Sequence, residues 1–448
     1  MKNNQKIRTL LLVSAIGSFY FGAVAHAATA SRLGEDLTPM GAERAGNAEG
    51  TIPAWTGGLS KDENAADPES GYKNPFAGET PVFTITADNF EDYRDNLSEG
   101  QVAMLKRYPD TWKLPVYPTH RSASYPQEIY DAVRSNVDTA RLENDGNSVS
   151  GVNFVTPFPI AENAKELMWN HLMRYRGRAV EHTLAGLTSY GDDSFKVQKN
   201  KFTYLFNKDV TSEEDGNILF YYLLETLLPA REAGTLVLVH DTVDPLGAPR
   251  QSWLYSPGQR RVRRAPTVGY DTPTAGGMIT VDDSDVFSGA MDRYDWELVG
   301  KKELYVPYNN YELASKQLDY SDIMGANHIN PELARHELHR VWHVRAKLKP
   351  DARHIYAQRD FYLDEDTYQI VLADSRDVRG ELWRVSSIYT INFYDQPLLW
   401  SIAQVMNDLV SGRYIALGMS NEEDPYDFSP GVEAQDFTPS NLRRSGFR

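Results

Sequence analysis

Four arginines, Arg260, Arg261, Arg263 and Arg264, crowd into five residues, just after the run Trp253-Leu254-Tyr255 and a Pro257-Gly258 pair. Guanidinium forks match the oxygens of phosphate and carboxylate, so this pattern suits an anionic head group held beside an apolar surface. Proline presets φ and glycine accepts positive φ at the next position, so residues 250–264 read as a β-hairpin. A two-residue loop sets Tyr255 opposite Arg260, Leu254 opposite Arg261 and Trp253 opposite Val262. One face then carries Trp253, Tyr255, Val262, Arg260 and Arg264, with guanidinium groups against aromatic rings. The plainer account is a sheet strand whose arginines pair with nearby acids.

Other residues with chemical potential are less organised. His336-Glu337-Leu338-His339 lacks the H-E-x-x-H spacing that puts two metal ligands on one helical face. On a strand His339 and His343 share a face about 13 Å apart, too far to hold one ion, so no metal site is expected. Asp364-Glu365-Asp366 and Asp282-Asp283-x-Asp285 lack the glycine and distal glutamate of a calcium loop; both read as turns, the second as a partner for the arginine hairpin. No nucleophile elbow, dinucleotide turn or P-loop is present, so no catalytic residue and no cofactor are assigned, and the chain is not expected to be an enzyme.

The elements that must position the hairpin are mostly strands. Aromatic and β-branched runs cut by Gly, Pro and Asp fall at 201–207, 218–228, 235–240, 251–255, 260–265 and 295–305. Residues 338–348 alternate Trp342, Val344, Ala346 and Leu348 against His343, Arg345 and Lys347, a half-buried antiparallel strand. Runs 352–363, 367–373 and 381–393 follow through short turns, which implies neighbours in one meandering sheet. Residues 398–409 read as a terminal helix and 421–448 as a loose tail. Upstream, 164–176 carries Leu167, Met168, His171, Leu172 and Tyr175 at helical spacing, with His171 as a packed residue of the buried face.

Eleven of the 24 prolines fall in residues 28–165, often beside aromatics, which argues against central strands there. This stretch reads as an irregular arm laid over the rest, with short helices near 88–95 and after the capping pattern Ser98-x-x-Gln101. The domain order is therefore a leader at 1–27, the arm at 28–165, a β domain at 166–420 and the tail at 421–448.

Lys2, Lys6 and Arg8, an apolar run at 10–24 and Ala25-His26-Ala27 have the form of a secretory signal peptide cut after Ala27. The apolar run is shorter than the ~20 residues of a spanning helix. There is no cysteine, hence no disulfide, thiolate metal site or lipidated cysteine. Three basic residues and no acidic ones leave with the leader, moving the net charge from −16 to −19. Such a charge disfavours nucleic acid and anionic membranes except at local basic patches. A monomer of the bacterial periplasm is expected.

Several of these stretches also resemble a known group. Strand 218–228, Pro229-Ala230-Arg231-x-x-Gly234-Thr235-Leu236, Trp253-Leu254-Tyr255-x-Pro257, Arg260-Arg261-Val262-Arg263-Arg264, Asp282-Asp283-x-Asp285-x-Phe287-x-Gly289 and Gly380-Glu381-Leu382-Trp383 resemble the outer-membrane lipoprotein-sorting-protein-like group of the LolA/LolB superfamily, over residues 178–417. With the signature from Gly41-Ala42-Glu43-Arg44 to Trp55-Thr56-Gly57-Gly58, the mature chain resembles the domain-of-unknown-function family 1329 (DUF1329). The resemblance implies an α+β fold, an open antiparallel half-barrel with helices plugging its mouth and an apolar ligand inside. It also implies work alongside RND-type exporters, with an outer-membrane protein as a further partner. The proline-rich arm departs from simple lipoprotein carriers.

The expected function is thus a periplasmic carrier of a lipid or other apolar small molecule. Its cavity lining is drawn from Phe220, Tyr222, Leu236, Leu238, Trp253, Tyr255, Val262, Trp342, Val344 and Trp383, with the four arginines at the rim. Two other readings remain: a glycan hydrolase with paired carboxylates across a cleft, and an adaptor subunit of an envelope transport complex that carries no cargo.

Overall fold

A computed structural model of the chain describes residues 30–62, 64–67, 70–206, 217–266 and 269–446. The leader at 1–27 and Asn207 lie outside them. Fifteen strands form one open sheet, antiparallel except at one bridge. In chain order they are β1 (Phe83–Ile85), β2 (Leu114–Val116), β3 (Ala179–Ser189), β4 (Phe195–Phe206), β5 (Ile218–Leu228), β6 (Leu236–Thr242), β7 (Gln251–Ser256) and β8 (Arg261–Arg264). Then come β9 (Tyr294–Pro307), β10 (His336–Leu348), β11 (Gln358–Asp364), β12 (Ile370–Arg376), β13 (Leu382–Phe393), β14 (Leu398–Asp408) and β15 (Tyr414–Met419). The spatial order is β8-β7-β6-β5-β4-β3-β15-β14-β13-β12-β11-β10-β2-β1, with β9 also paired to β10. Among the described residues no pairing joins β8 to the far edge, so the sheet is not closed. No helix among them is long and apolar enough to cross a membrane.

The helices are short and lie against this sheet: α1 (Glu99–Arg107), α2 (Gln127–Thr139), α3 (Ala164–Leu172) and α4 (Pro439–Ser445). The expected capping box starts α1: Ser98 accepts from the Gln101 amide, and Gln101 reaches back to the Ser98 amide. α2 follows Pro126 and buries Ile129, Ala132 and Val133, a face the proline-rich reading of the arm passed over. α3 ends sooner than expected, at Leu172, and His171 is packed as expected, facing the carbonyls of Tyr368 and Asp285 at 3.2 and 3.1 Å. The arm also supplies β1 and β2 to the main sheet.

The segment read as a helix at 398–409 is instead β14, paired along its length with β13. The misreading has a physical cause. The arm covers one face of the central strands and residues 275–291 the other, so β14 is buried almost throughout and shows no alternation. The expected strand at 352–363 starts only at Gln358, and β3 and β15 were not anticipated. In the stretch expected to be loose, 421–448, α4 packs on β6, β7 and β8, with Leu442 and Phe437 buried. Leu442→Ala is expected to lower stability by about 2 kcal/mol, read from the urea midpoint.

Candidate functional site

Register assembles an apolar face from β4 to β7. Phe202, Leu224, Val237 and Leu254 stand opposite one another across four strands, and the row ends at Arg263 on β8. Two residues along lies a second row, Tyr204, Tyr222, Val239 and Ser252; a third is Phe206, Phe220 and Asp241. Because side chains alternate with period two, all three rows point to the same side. Phe202, Tyr204 and Phe206 stack at 6.0 and 5.8 Å, Tyr204 lies 5.4 Å from Tyr222 and Phe206 6.0 Å from Phe220. These rings, Leu224 and Val237 are all half-buried, and Leu254 is 38% exposed. His182, Trp400 and Tyr426 border the face, with His182 at 5.8 Å from Phe202 and 4.7 Å from Tyr426. Burial holds the His182 imidazole down at about 3, so it is neutral at pH 7.

At the third row the face acquires charge. The Arg176 guanidinium lies 4.7 Å from the Phe206 ring and 5.7 Å from Phe220. Beside it Arg250 grips both oxygens of Asp241, at 3.0 and 2.6 Å. Asp285 faces both Arg174, at 2.5 Å, and Arg176, at 3.3 Å. Burial alone would push the Asp285 carboxyl up; Arg174, then His171 and Arg176, override it and hold it at about 2.

The expected lining is split between two sides of the sheet. Phe220 and Tyr222 are on the aromatic face. Leu236, Leu238, Trp253, Tyr255 and Val262 have the opposite parity and pack on the back, with Tyr221 and Leu223, beneath Phe437 and Leu442. There the Tyr255 hydroxyl donates to the Gly446 carbonyl at 2.5 Å. Leu236 also reaches an open pocket of about 320 Å³ on this back side, but Glu181, Lys201 and Glu225 line it too, which makes it polar. Val344 is fully buried in a separate core with Phe361, and Trp342 packs against that core beneath Lys301. Trp383 lies under Arg384 at 4.4 Å and donates to Asp408 at 3.0 Å.

The hairpin forms in a different register from the one expected. Tyr255 pairs with Val262 and Trp253 with Arg264, so the loop is four residues, 257–260. Positive φ falls on Arg260 (49°), not on Gly258, and the Arg260 amide donates to the Ser256 carbonyl at 2.8 Å. Arg260 therefore sits in the turn. Arg261 and Arg263 edge the aromatic face, Arg264 shares the back with Trp253, and all four are exposed.

The acids expected to meet the hairpin have other partners. Arg359 takes Asp282 at 3.0 Å and Asp283 at 2.8 Å, and Asp285 is held as above. His339 and His343 are also separated by their partners, His343 facing Asp360 at 2.7 Å. His339 stacks on Tyr308 at 4.0 Å, with Glu337 at 3.2 Å on one nitrogen and Asp364 at 3.6 Å on the other. His339, Asp364 and Asp366 can each bring a ligand-type atom within 4.8 Å of the others. Both Asp366 oxygens already accept from Arg121, at 2.6 and 2.8 Å, so a guanidinium supplies the cation there.

Asp364 and Asp374 are buried carboxyls without a full counter-ion. Burial first, then Asp366, raises Asp364 to about 7; burial first, against donation from the Gly100 amide, raises Asp374 to about 7. Between pH 4 and 7 the native state therefore holds protons that the unfolded chain has lost. Stability from these groups is present below pH 4 and lost as pH rises through 7. The buried neutral histidines His171, His182 and His336 act in the opposite direction up to about pH 6.5, so the wild-type slope is the balance of the two sets. Asp374→Asn is expected to make the urea midpoint rise more, or fall less, from pH 5 to pH 8 than in wild type.

A family model described as a protein of unknown function, DUF1329, matches residues 84–443. The chain belongs to this family. The match begins beyond the Gly41 to Gly58 signature but includes the hairpin and the whole aromatic face. This DUF1329 member is 47% identical over 445 residues to the uncharacterized protein PA3922 of Pseudomonas aeruginosa, covering 98% of both. Among solved structures it is similar to a Vibrio parahaemolyticus domain described as an outer membrane lipoprotein-sorting protein (17% identity, 62% of this chain, 97% of that one, TM-score 0.43). It is also similar to a DUF1329 protein of Desulfovibrio piger (14%, 60% and 92%, 0.41) and a LolA superfamily protein of Nitrosomonas europaea (13%, 62% and 98%, 0.37).

Sequence reasoning missed Phe202, Tyr204, Phe206 and Arg176. The first three were visible as aromatics at every second position of one strand. Arg176 carried no local signal, since its neighbours on the face come from β4 and β5.

Proposed function

We propose that this DUF1329 protein is a non-enzymatic carrier of a lipid-like molecule in the bacterial periplasm, passing cargo to or from an RND-type exporter. The observation that carries this reading is the aromatic face: three in-register rows whose rings Phe202, Tyr204, Phe206, Phe220 and Tyr222 are half-buried on one side of the sheet, while much of the other side is covered by the chain's own C-terminal segment. A continuous group of partly open apolar side chains on one sheet face marks a place where something binds. Burying a methylene is worth ~0.8 kcal/mol, so a 14-carbon chain in water faces on the order of 10 kcal/mol that such a surface offsets in large part. The half-barrel in this proposal is the curvature that would wrap the face around a ligand, with the short helices at its mouth.

The hydrolase reading has less to stand on. Asp282, Asp283 and Asp285 all lie against arginines, which leaves none of them free as an acid or base across a cleft.

The test is mass spectrometry of protein purified from periplasm without detergent, natively and after organic extraction. A stoichiometric apolar molecule is the expected result. Protein that emerges empty and takes up no fluorescent fatty acid would sink the carrier reading and favour the adaptor.

A further inference from the structure

Resting on the carrier reading, we propose that Arg176 is the receptor for a carboxylate head group, held at the deep end of the aromatic face rather than at the arginine hairpin.

Charge counting comes first. The cluster at the third row holds three arginines, Arg174, Arg176 and Arg250, against two carboxylates, Asp241 and Asp285. Arg250 and Asp241 match each other through two hydrogen bonds. Asp285 must serve both remaining guanidinium groups through one oxygen, and Arg174 makes the closer contact. His171 adds no charge, because burial, with Arg174 next, pulls its imidazole down to about 3. Among the described residues one buried positive charge is left over, and it lies on the Arg176 side.

The hydrogen-bond count agrees. The Arg176 side chain is 13% exposed, and its Nε is buried without a partner, as is the Arg174 Nε. Arg174, however, makes two short charged contacts with its other nitrogens, to the His171 carbonyl at 2.7 Å and Asp285 at 2.5 Å. Nη1 reaches Asp285 at 3.3 Å and Nη2 reaches the Leu172 carbonyl at 3.3 Å, both long for charged donors. A buried guanidinium with an idle donor and an unmatched charge is costly unless an anion completes it. Burial first, then Arg174, lowers its affinity for protons to about 10, still charged at pH 7.

Geometry supplies the rest of the ligand. The guanidinium rests on Phe206 and Phe220, so the anion it binds begins where the aromatic rows begin. From β4 to β8 the face crosses four strand spacings, roughly 19 Å, which accommodates a long alkyl chain running toward Leu254. A single unmatched charge calls for a monoanion, and a fatty acid joins that head to such a tail. Arg261 and Arg263, exposed at the far edge, would then meet the tail end and contribute little to head-group choice.

The test compares 11-(dansylamino)undecanoic acid with its methyl ester by fluorescence titration of the mature protein at pH 7. Wild type is expected to bind the acid at least tenfold more tightly. Arg176→Met should bring the acid down to the affinity of the ester and leave the ester unchanged; Arg174 still neutralises Asp285, so the variant keeps its fold. Arg176→Lys should retain part of the preference, and Arg261→Met with Arg263→Met all of it. Equal binding of acid and ester by wild type, or a preference that survives Arg176→Met, overturns the head-group assignment while the carrier stands. Binding of neither probe by folded wild type overturns the carrier reading and this inference with it.

Discussion

Arg359→Met is expected to cost the fold about 3–5 kcal/mol, the largest single effect in the molecule. Arg359 is 1% exposed and bridges Asp282 and Asp283, which are 2% and fully buried; it also donates to the Val286 carbonyl at 2.6 Å. His354 meets Asp282 at 3.2 Å, and Tyr356, which accepts from Arg384 at 2.7 Å, donates to Asp283 at 2.9 Å, so Arg359 is the one guanidinium of the cluster that touches both carboxylates. Burial alone would raise the Asp282 carboxyl, but Arg359, followed by His354, overrides this and holds it low. Removing the arginine strands two carboxylates away from water and takes from residues 275–291 their charged anchor on the sheet, leaving the hydrogen bonds from Arg384 to Gly277 and from Gln404 to Asp283. The triple variant Asp282→Asn, Asp283→Asn, Arg359→Met should recover most of the loss, because it removes the charges along with their partner. Urea denaturation at pH 7 reads both. A single variant within 1 kcal/mol of wild type would show that the cluster does not hold this segment.

The second large effect separates the two sides of the sheet. Phe220→Asp combined with Tyr222→Asp is expected to weaken uptake of a fluorescent fatty acid at least tenfold in the molecules that remain folded. Both rings are only partly exposed and burial already raises the Tyr222 phenol, so a carboxylate there costs some stability in the free protein and costs far more when an alkyl chain lies over it. Trp253→Asp should cost stability without touching uptake. Its ring is on the back, 4.7 Å from His240 and in the cluster with Phe437 and Leu442, so the charge falls beneath the C-terminal segment and lowers stability. The molecules that stay folded should bind the probe as wild type does. Lost uptake in a stable Trp253→Asp variant would place the ligand on the back instead.

Much of the architecture is legible in the sequence. Period-two alternation marked β10, aromatic runs marked β5, β6, β7 and β9, and Ser98-x-x-Gln101 marked the start of α1, because each is a local pattern that strand pleat or helix capping imposes. Family membership was readable as well, from the hairpin and the glycine-rich signature. What failed locally failed for identifiable reasons. β14 lost its alternation because distant segments cover both of its faces, and α2 lay in a region where proline content argued against regular structure.

The site divides along the same line. Sequence by itself determined which residues alternate together: Phe220 with Tyr222, Leu236 with Leu238, Trp253 with Tyr255, Arg261 with Arg263. Chain connectivity and the pleat require those groupings in any strand. Only the tertiary structure decided which groups share a side, because that depends on register between strands, and a four-residue turn in place of a two-residue one moved Arg260 off the strand. It also decided which side is open. That depends on where the C-terminal helix docks and on which acid each buried arginine meets, and these are contacts between residues 77 to 191 positions apart that no local pattern encodes.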